Sequence, residues 1–115
     1  MAIIRLTKVP SIIYSGVDLI FDRTITINGD TLTSLTNSSA KFGLIKMPIS
    51  SSSTNDLSVA GVIETSGEDY YKFDISDDDM DLDAGRYKWT IEYTDEDGIK
   101  YITEQGELTI KDTAF

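Results

Sequence analysis

The sequence contains no cysteine and no histidine, only two prolines and one tryptophan, and half as many basic as acidic residues. Without the first two side chains it cannot assemble a Ser-His-Asp or Cys-His nucleophile pair, a thiolate or imidazole zinc site, a haem ligand of those types or a disulfide framework. What remains for catalysis is carboxylate chemistry, either acid–base work or a hard cation held through oxygen. With 20 Asp and Glu against 10 Lys and Arg, the formal net charge is −10. That excess, with a pI near 4.2, repels nucleic acid and anionic lipid. Long apolar runs are missing too. The opening MAIIRLTKVP is broken by Arg5, Lys8 and Pro10, and nothing elsewhere approaches the ~20 apolar residues of a spanning helix. The expectation is a soluble chain without the usual export signal, folded in a reducing cytoplasm.

What is present points to strands. A chain of 115 residues makes one domain large enough to bury a core without metal or disulfide. Ile, Val and Thr together number 32 against five Ala, a bias toward stiff β-branched side chains that suit pleated surfaces. Leu19, Phe21, Ile25 and Ile27 share one parity while Asp22, Thr24 and Thr26 occupy the other, with Arg23 an exception on the inner parity. Tyr71, Phe73 and Ile75 alternate with Lys72 and Asp74, and Tyr87, Trp89, Ile91 and Tyr93 alternate with Lys88, Thr90 and Glu92.

Turn chemistry separates these runs. Thr94-Asp95-Glu96-Asp97-Gly98 predicts a hairpin that pairs 86–94 with 99–104 in antiparallel fashion. In the last strand Ile102 shares parity with Leu108 and Ile110, but Glu104 and Gly106 lie between, so a bulge is expected near Gly106. Asn28-Gly29 is a turn dipeptide that fits either a tight hairpin or a link to the next sheet. Ala40 to Met47 reads as a strand ended by Pro48, Ser50 to Asp56 as an exposed loop, and Val59 to Glu64 as a short strand. Seven or eight short strands with turns between them predict an all-β, antiparallel β-sandwich.

The segment Leu82-Asp83-Ala84-Gly85-Arg86-Tyr87-Lys88-Trp89 makes this specific. D-x-G-x-Y directly before an alternating strand matches the entry to strand F of an immunoglobulin-like sandwich, where a tyrosine corner locks the incoming loop. Tyr87, Trp89 and Ile91 are therefore expected in the structural core, with the Tyr87 hydroxyl bonded to upstream backbone and the Trp89 indole where antibody domains place a cysteine. Large aromatics at strand spacing read as core before they read as a ligand site.

Asp77, Asp78, Asp79, Asp81 and Asp83 pack five aspartates into seven residues. Their repulsion and oxygen ligands invite a hard cation. A calcium-loop reading from Asp79, however, puts Ala84 where the loop glycine belongs and Thr90 where the bidentate Glu belongs, which leaves a solvated interstrand loop. Asp95, Glu96 and Asp97 sit on a hairpin turn, and Glu92, Glu104 and Glu107 fall on outward parity or near the expected bulge, so no pair of acids at catalytic spacing emerges. No catalytic, cofactor or metal residue is assigned.

The order of these features resembles the immunoglobulin-like domains of tailed-phage virion proteins, particularly the N-terminal domain of phage baseplate upper proteins and related tail or capsid-attached modules. The residues that carry the resemblance are Ser15-Gly16-Val17-Asp18-Leu19, Ile27-Asn28-Gly29-Asp30, Leu35 to Phe42, Asp83 to Ile91, Asp97-Gly98, and Gln105 to Ile110. Ser34 stands where that family tends to carry an acid, and the chain stops at Phe115 directly after the last strand, where baseplate upper proteins continue into a receptor-side region.

The resemblance implies a self-contained, non-enzymatic structural module of a bacteriophage particle, docked on capsid, neck, tail or baseplate. Its partners would be other virion proteins, in multiple copies per particle, without nucleic acid or membrane, and its location the virion after synthesis in the host cytoplasm. Residues 1–115 would form the one domain, with 1–10 as an N-terminal attachment arm whose Ile3, Ile4 and Leu6 contact a neighbour. The alternative is a carbohydrate- or host-surface-binding module that presents Tyr14, Tyr70 and Tyr101 to a glycan. No cofactor is expected under either reading.

Overall fold

Alternation becomes sheet wherever the sequence shows it most clearly. The computed structural model describes residues 5–6, 8–47, 56–65 and 68–112. In chain order the strands are β1 (Arg5–Leu6), β2 (Ile12–Tyr14), β3 (Leu19–Arg23), β4 (Thr26–Ile27), β5 (Asp30–Thr31), β6 (Ser39–Lys46), β7 (Leu57–Ala60), β8 (Val62–Glu64), β9 (Tyr70–Ile75), β10 (Gly85–Thr94) and β11 (Lys100–Lys111). No helix occurs among the described residues.

Nine of these strands build two sheets. One has the order β1-β3-β9-β8 and the other β2-β11-β10-β6-β7, while β4 and β5 pair only with each other. A four-stranded sheet of A, B, E and D strands facing a sheet built on G, F and C is the arrangement of an immunoglobulin-like sandwich, here with an extra strand at each margin of the larger sheet. The fold expected from the sequence is therefore the fold observed. Its main ladders are antiparallel, and the two N-terminal strands run parallel to theirs, β1 beside β3 and β2 beside β11.

Eleven strands are described rather than seven or eight because single expected strands divide. The chain leaves the four-stranded sheet at Arg23, so the alternating run 19–27 splits into β3 and β4, with Ile25 buried at the end of the sandwich. Gly61 divides the run 59–64 into β7, in the larger sheet, and β8, in the smaller one. A Cβ at Gly61 would lie 2.9 Å from the Phe73 ring, so only glycine lets the backbone cross between sheets over that aromatic. Asn28-Gly29 makes the tight hairpin, joining β4 to β5 with positive φ at both positions (51° and 84°), as a two-residue turn of this kind needs.

The core lies between the sheets. Phe21 of β3 stacks on Phe73 of β9 (5.1 Å between centroids, 24°) and meets Phe42 of β6 edge-on across the gap (5.0 Å, 73°). Leu19, Leu44, Ile75, Ile91, Leu108 and Ile110 continue this layer, each contributed by an inward parity. Burying one such side chain stabilises by about 1.5–3 kcal/mol, so this apolar layer is what holds the two sheets together.

The expected bulge is present but displaced. Ile91 pairs with Glu104 and Glu92 with Ile102, which leaves Thr103, not Gly106, as the extra residue on β11. Gly106 stays in register opposite Trp89. A Cβ there would lie 2.9 Å from the indole, so the glycine is required by the ring that covers it.

Candidate functional site

The β-sandwich brings the chain's distinctive residues to its two ends and to its margins. At one end the loop 76–84 enters β10. The Tyr87 hydroxyl donates to the carbonyl of Asp83 at 2.8 Å, with the ring 2% exposed, which is the geometry of a tyrosine corner. Burial pushes the Tyr87 hydroxyl above its ordinary pKa, and the negative charges of Asp56 and Asp83 push it the same way. Ile91 is wholly buried. Trp89 is half-buried, stacked on Phe42 at 6.2 Å between centroids and lying over Gly106, so it packs against the core.

The aspartate loop is tied down by its backbone while its carboxylates remain in solvent. Met80, in the middle of the run, is fully buried and anchors the loop to the core. Its amide donates to the Ser76 carbonyl at 3.0 Å, and its carbonyl accepts from the Gly16 amide at 3.0 Å. The Asp77 amide donates to the Asp18 carboxylate at 2.6 Å, and the Ser15 hydroxyl donates to the Leu82 carbonyl at 2.9 Å. Asp77, Asp78, Asp79, Asp81 and Asp83 are all exposed. Among the described residues no three acids converge as a metal-binding group.

The opposite end is closed by the long connection 24–38. Leu35 is fully buried and its amide donates to the Asp69 carboxylate at 2.9 Å, so an acid from the turn before β9 fixes this connection. Ser38 donates to the Leu35 carbonyl, which leaves its oxygen to accept from the buried Tyr71 hydroxyl. Burial raises the Tyr71 pKa; the Ser38 bond opposes that shift, and Tyr93 adds to it. The hairpin 95–98 stands beside this connection, with Asp95 Oδ1 accepting from the amides of Asp97 (3.0 Å) and Ile99 (2.9 Å). Between the two lies an open depression of about 350 Å³, lined among others by Asn37, Tyr93, Asp95 and Asp97.

The margins are where the fold leaves its backbone least covered. Among the described residues β2 pairs on one side only, through Ile12 with Thr109 and Tyr14 with Lys111. Ile12 and Tyr14 point away from the core, 48% and 50% exposed, while Ile13 between them is buried. Ile3 and Ile4 of the expected attachment arm lie outside the described residues; Leu6 aligns its backbone with Phe21 at the margin of the smaller sheet. The three tyrosines of the glycan-binding alternative lie on three different strands. Tyr14 is on β2, Tyr70 beside a depression lined by Asp22, Arg23 and Thr24, and Tyr101 tilts against Tyr93 at 6.2 Å.

One pair is not predicted by the sequence pattern, although each member stands out in it. Arg23 of β3 donates through Nε to Glu104 Oε2 at 2.9 Å and through Nη2 to Glu104 Oε1, across the gap between the sheets. The bond raises the guanidinium pKa above its ordinary value, against the lowering effect of burial. Each residue breaks the parity of its own strand, and that shared irregularity was the available signal.

Comparison of the chain with protein-family models gives no match, and comparison with curated proteins gives none either.

Proposed function

We propose that the chain is a non-enzymatic structural module of a bacteriophage particle, an immunoglobulin-like sandwich held in place by neighbouring virion proteins. The observation that carries this reading is the open margin at β2. An edge strand with exposed Ile12 and Tyr14 on one face, and a backbone side that pairs with no other strand among the described residues, offers both the hydrogen bonds and the apolar contacts of strand addition. The resemblance of its motif order to that of phage virion domains supports the same role.

The loops serve such a role by being shaped without being catalytic. Their backbones are fixed by buried Met80 and by the Asp69 and Asp95 carboxylates, while the carboxylates of the 77–83 loop are exposed. The second reading, a carbohydrate- or host-surface-binding module, would use Tyr14, half exposed on β2, with Tyr70 of β9 and Tyr101 of β11.

The test is a protein inventory of purified phage particles together with a density map of the intact particle. The expected result is this chain in many copies per particle, with a neighbour along β2. Particles that lack the chain overturn the proposal.

A further inference from the structure

The outer face of the five-stranded sheet carries charge of the sign opposite to the chain as a whole. Tyr87, Ile91, Phe42, Leu108 and Ile110 are buried, so alternation puts Arg86, Lys88 and Glu92 of β10, Lys41 of β6, and Glu107 and Lys111 of β11 on the side away from the core. Beyond the bulge, Lys100 pairs with Thr94 and joins them. This face thus holds five of the ten cations and two of the twenty carboxylates.

Both carboxylates are already engaged. Arg86 Nη2 lies 3.0 Å from Glu107 Oε1, and Lys100 Nζ lies 3.9 Å from Glu92 Oε1. Among the described residues Lys41, Lys88 and Lys111 form no ion pair. Between the cations lie uncharged residues, with Ile45 opposite Lys88. Thr90 faces Gln105 on one side and Gly43 on the other, and Gly43 faces Ser58. Ile102, 54% exposed, adds an apolar margin.

The complementary surface is on the same chain. The 77–83 loop presents five exposed carboxylates on a backbone fixed by buried Met80, so it is a shaped acidic projection.

We propose that the outer face of the five-stranded sheet docks the 77–83 loop of a second copy of this chain, head to tail. Two such faces set against each other would oppose cation to cation, which excludes a symmetric pairing through them. Face and loop are different surfaces, so the contact is heterologous and propagates into a ring or an open row of copies.

Net charge sets the salt window. Two chains of charge −10 repel at a distance, and the screening length falls from roughly 30 Å at 0.01 M salt to 10 Å at 0.1 M and 3 Å at 1 M. Near 0.1 M the overall repulsion is screened while touching charges still attract. Assembly should therefore be strongest there and weaker on either side. The inference concerns the purified chain and does not depend on the virion reading.

Sedimentation velocity on the full chain at about 0.01, 0.1 and 1 M salt tests it. The expected result is concentration-dependent assembly with a maximum near the middle salt. Lys41→Gln/Lys88→Gln alters only the face, and Asp78→Asn/Asp79→Asn only the loop, at side chains outside the core. Each pair alone should weaken assembly about tenfold or more. An equimolar mixture of the two variants should form one-to-one pairs that do not extend, because one retains an intact loop and the other an intact face. A wild-type chain that stays monomeric at every salt, assembly indifferent to either variant, or a chain that binds duplex DNA and not itself would overturn the proposal.

Discussion

Arg23 and Glu104 are 81 residues apart in sequence and bonded through two hydrogen bonds between the two sheets, each side chain 27% exposed. They join the β3 end of the smaller sheet to the bulged strand of the larger one. Two polar residues on inward parities thereby satisfy each other.

Glu104→Gln should lower unfolding stability by about 1–2 kcal/mol, because partial burial limits solvent's ability to replace the lost charge. In a double-mutant cycle with Arg23→Met, the combined loss should fall short of the sum of the single losses. Urea unfolding of the four proteins measures this. Strict additivity would show that the pair is not coupled.

Tyr87→Phe keeps the buried ring and deletes only the hydroxyl that holds Asp83. The expected loss is about 1–2 kcal/mol. Hydrogen exchange should rise first at the amides of residues 80–84, ahead of β10. Protection unchanged in that loop would mean that Met80 alone secures it.

Gly106→Ala places a methyl within 2.9 Å of the Trp89 indole. Overpacking of this kind costs about 1–3 kcal/mol. The same substitution in a Trp89→Leu background should cost much less, and tryptophan fluorescence of the single variant should shift as the ring is displaced. Equal losses in both backgrounds would place the strain elsewhere.

Alkaline stability follows from Tyr71 and Tyr87, whose hydroxyls titrate above the ordinary 10.0 in the folded chain. The folded state keeps protons that the unfolded chain releases, so the stabilisation is complete below pH 10 and is lost as pH rises through the folded values. Urea midpoints taken from about pH 9 to 11.5 should fall along that path. Tyr87→Phe, though less stable at neutral pH, should show a shallower fall. A slope identical to wild type would remove Tyr87 from the cause.

Much of the sandwich is legible because its signals are local. The β10 to β11 hairpin is written in Asp95 and Gly98, and the tyrosine corner in Asp83, Gly85 and Tyr87. What is not legible depends on partners distant in sequence. Gly61 looks like an ordinary residue within a short strand until the Phe73 ring beneath it explains the crossing between sheets. Gly106 carries the usual mark of a bulge, yet the indole opposite it sets its identity and the bulge falls at Thr103. Arg23 and Glu104 each look like an exception, and only the stacking of two sheets turns two exceptions into one bond. The basic sheet face is hidden for the same reason, since Lys41, Arg86 and Lys111 come to share one face through pairing alone.

The parallel pairing of β2 with β11 fixes when the molecule can be finished. Ile12 waits for Thr109, across almost the whole sequence, so a chain still emerging from the ribosome has made its N-terminal strand long before that strand has a partner. Non-local closure of this kind is slow. Until the last segment arrives, Ile13 lacks its sheet partner and the edge of β10 that β11 later pairs with is open, and the nascent chain is most exposed to wrong pairing in that interval.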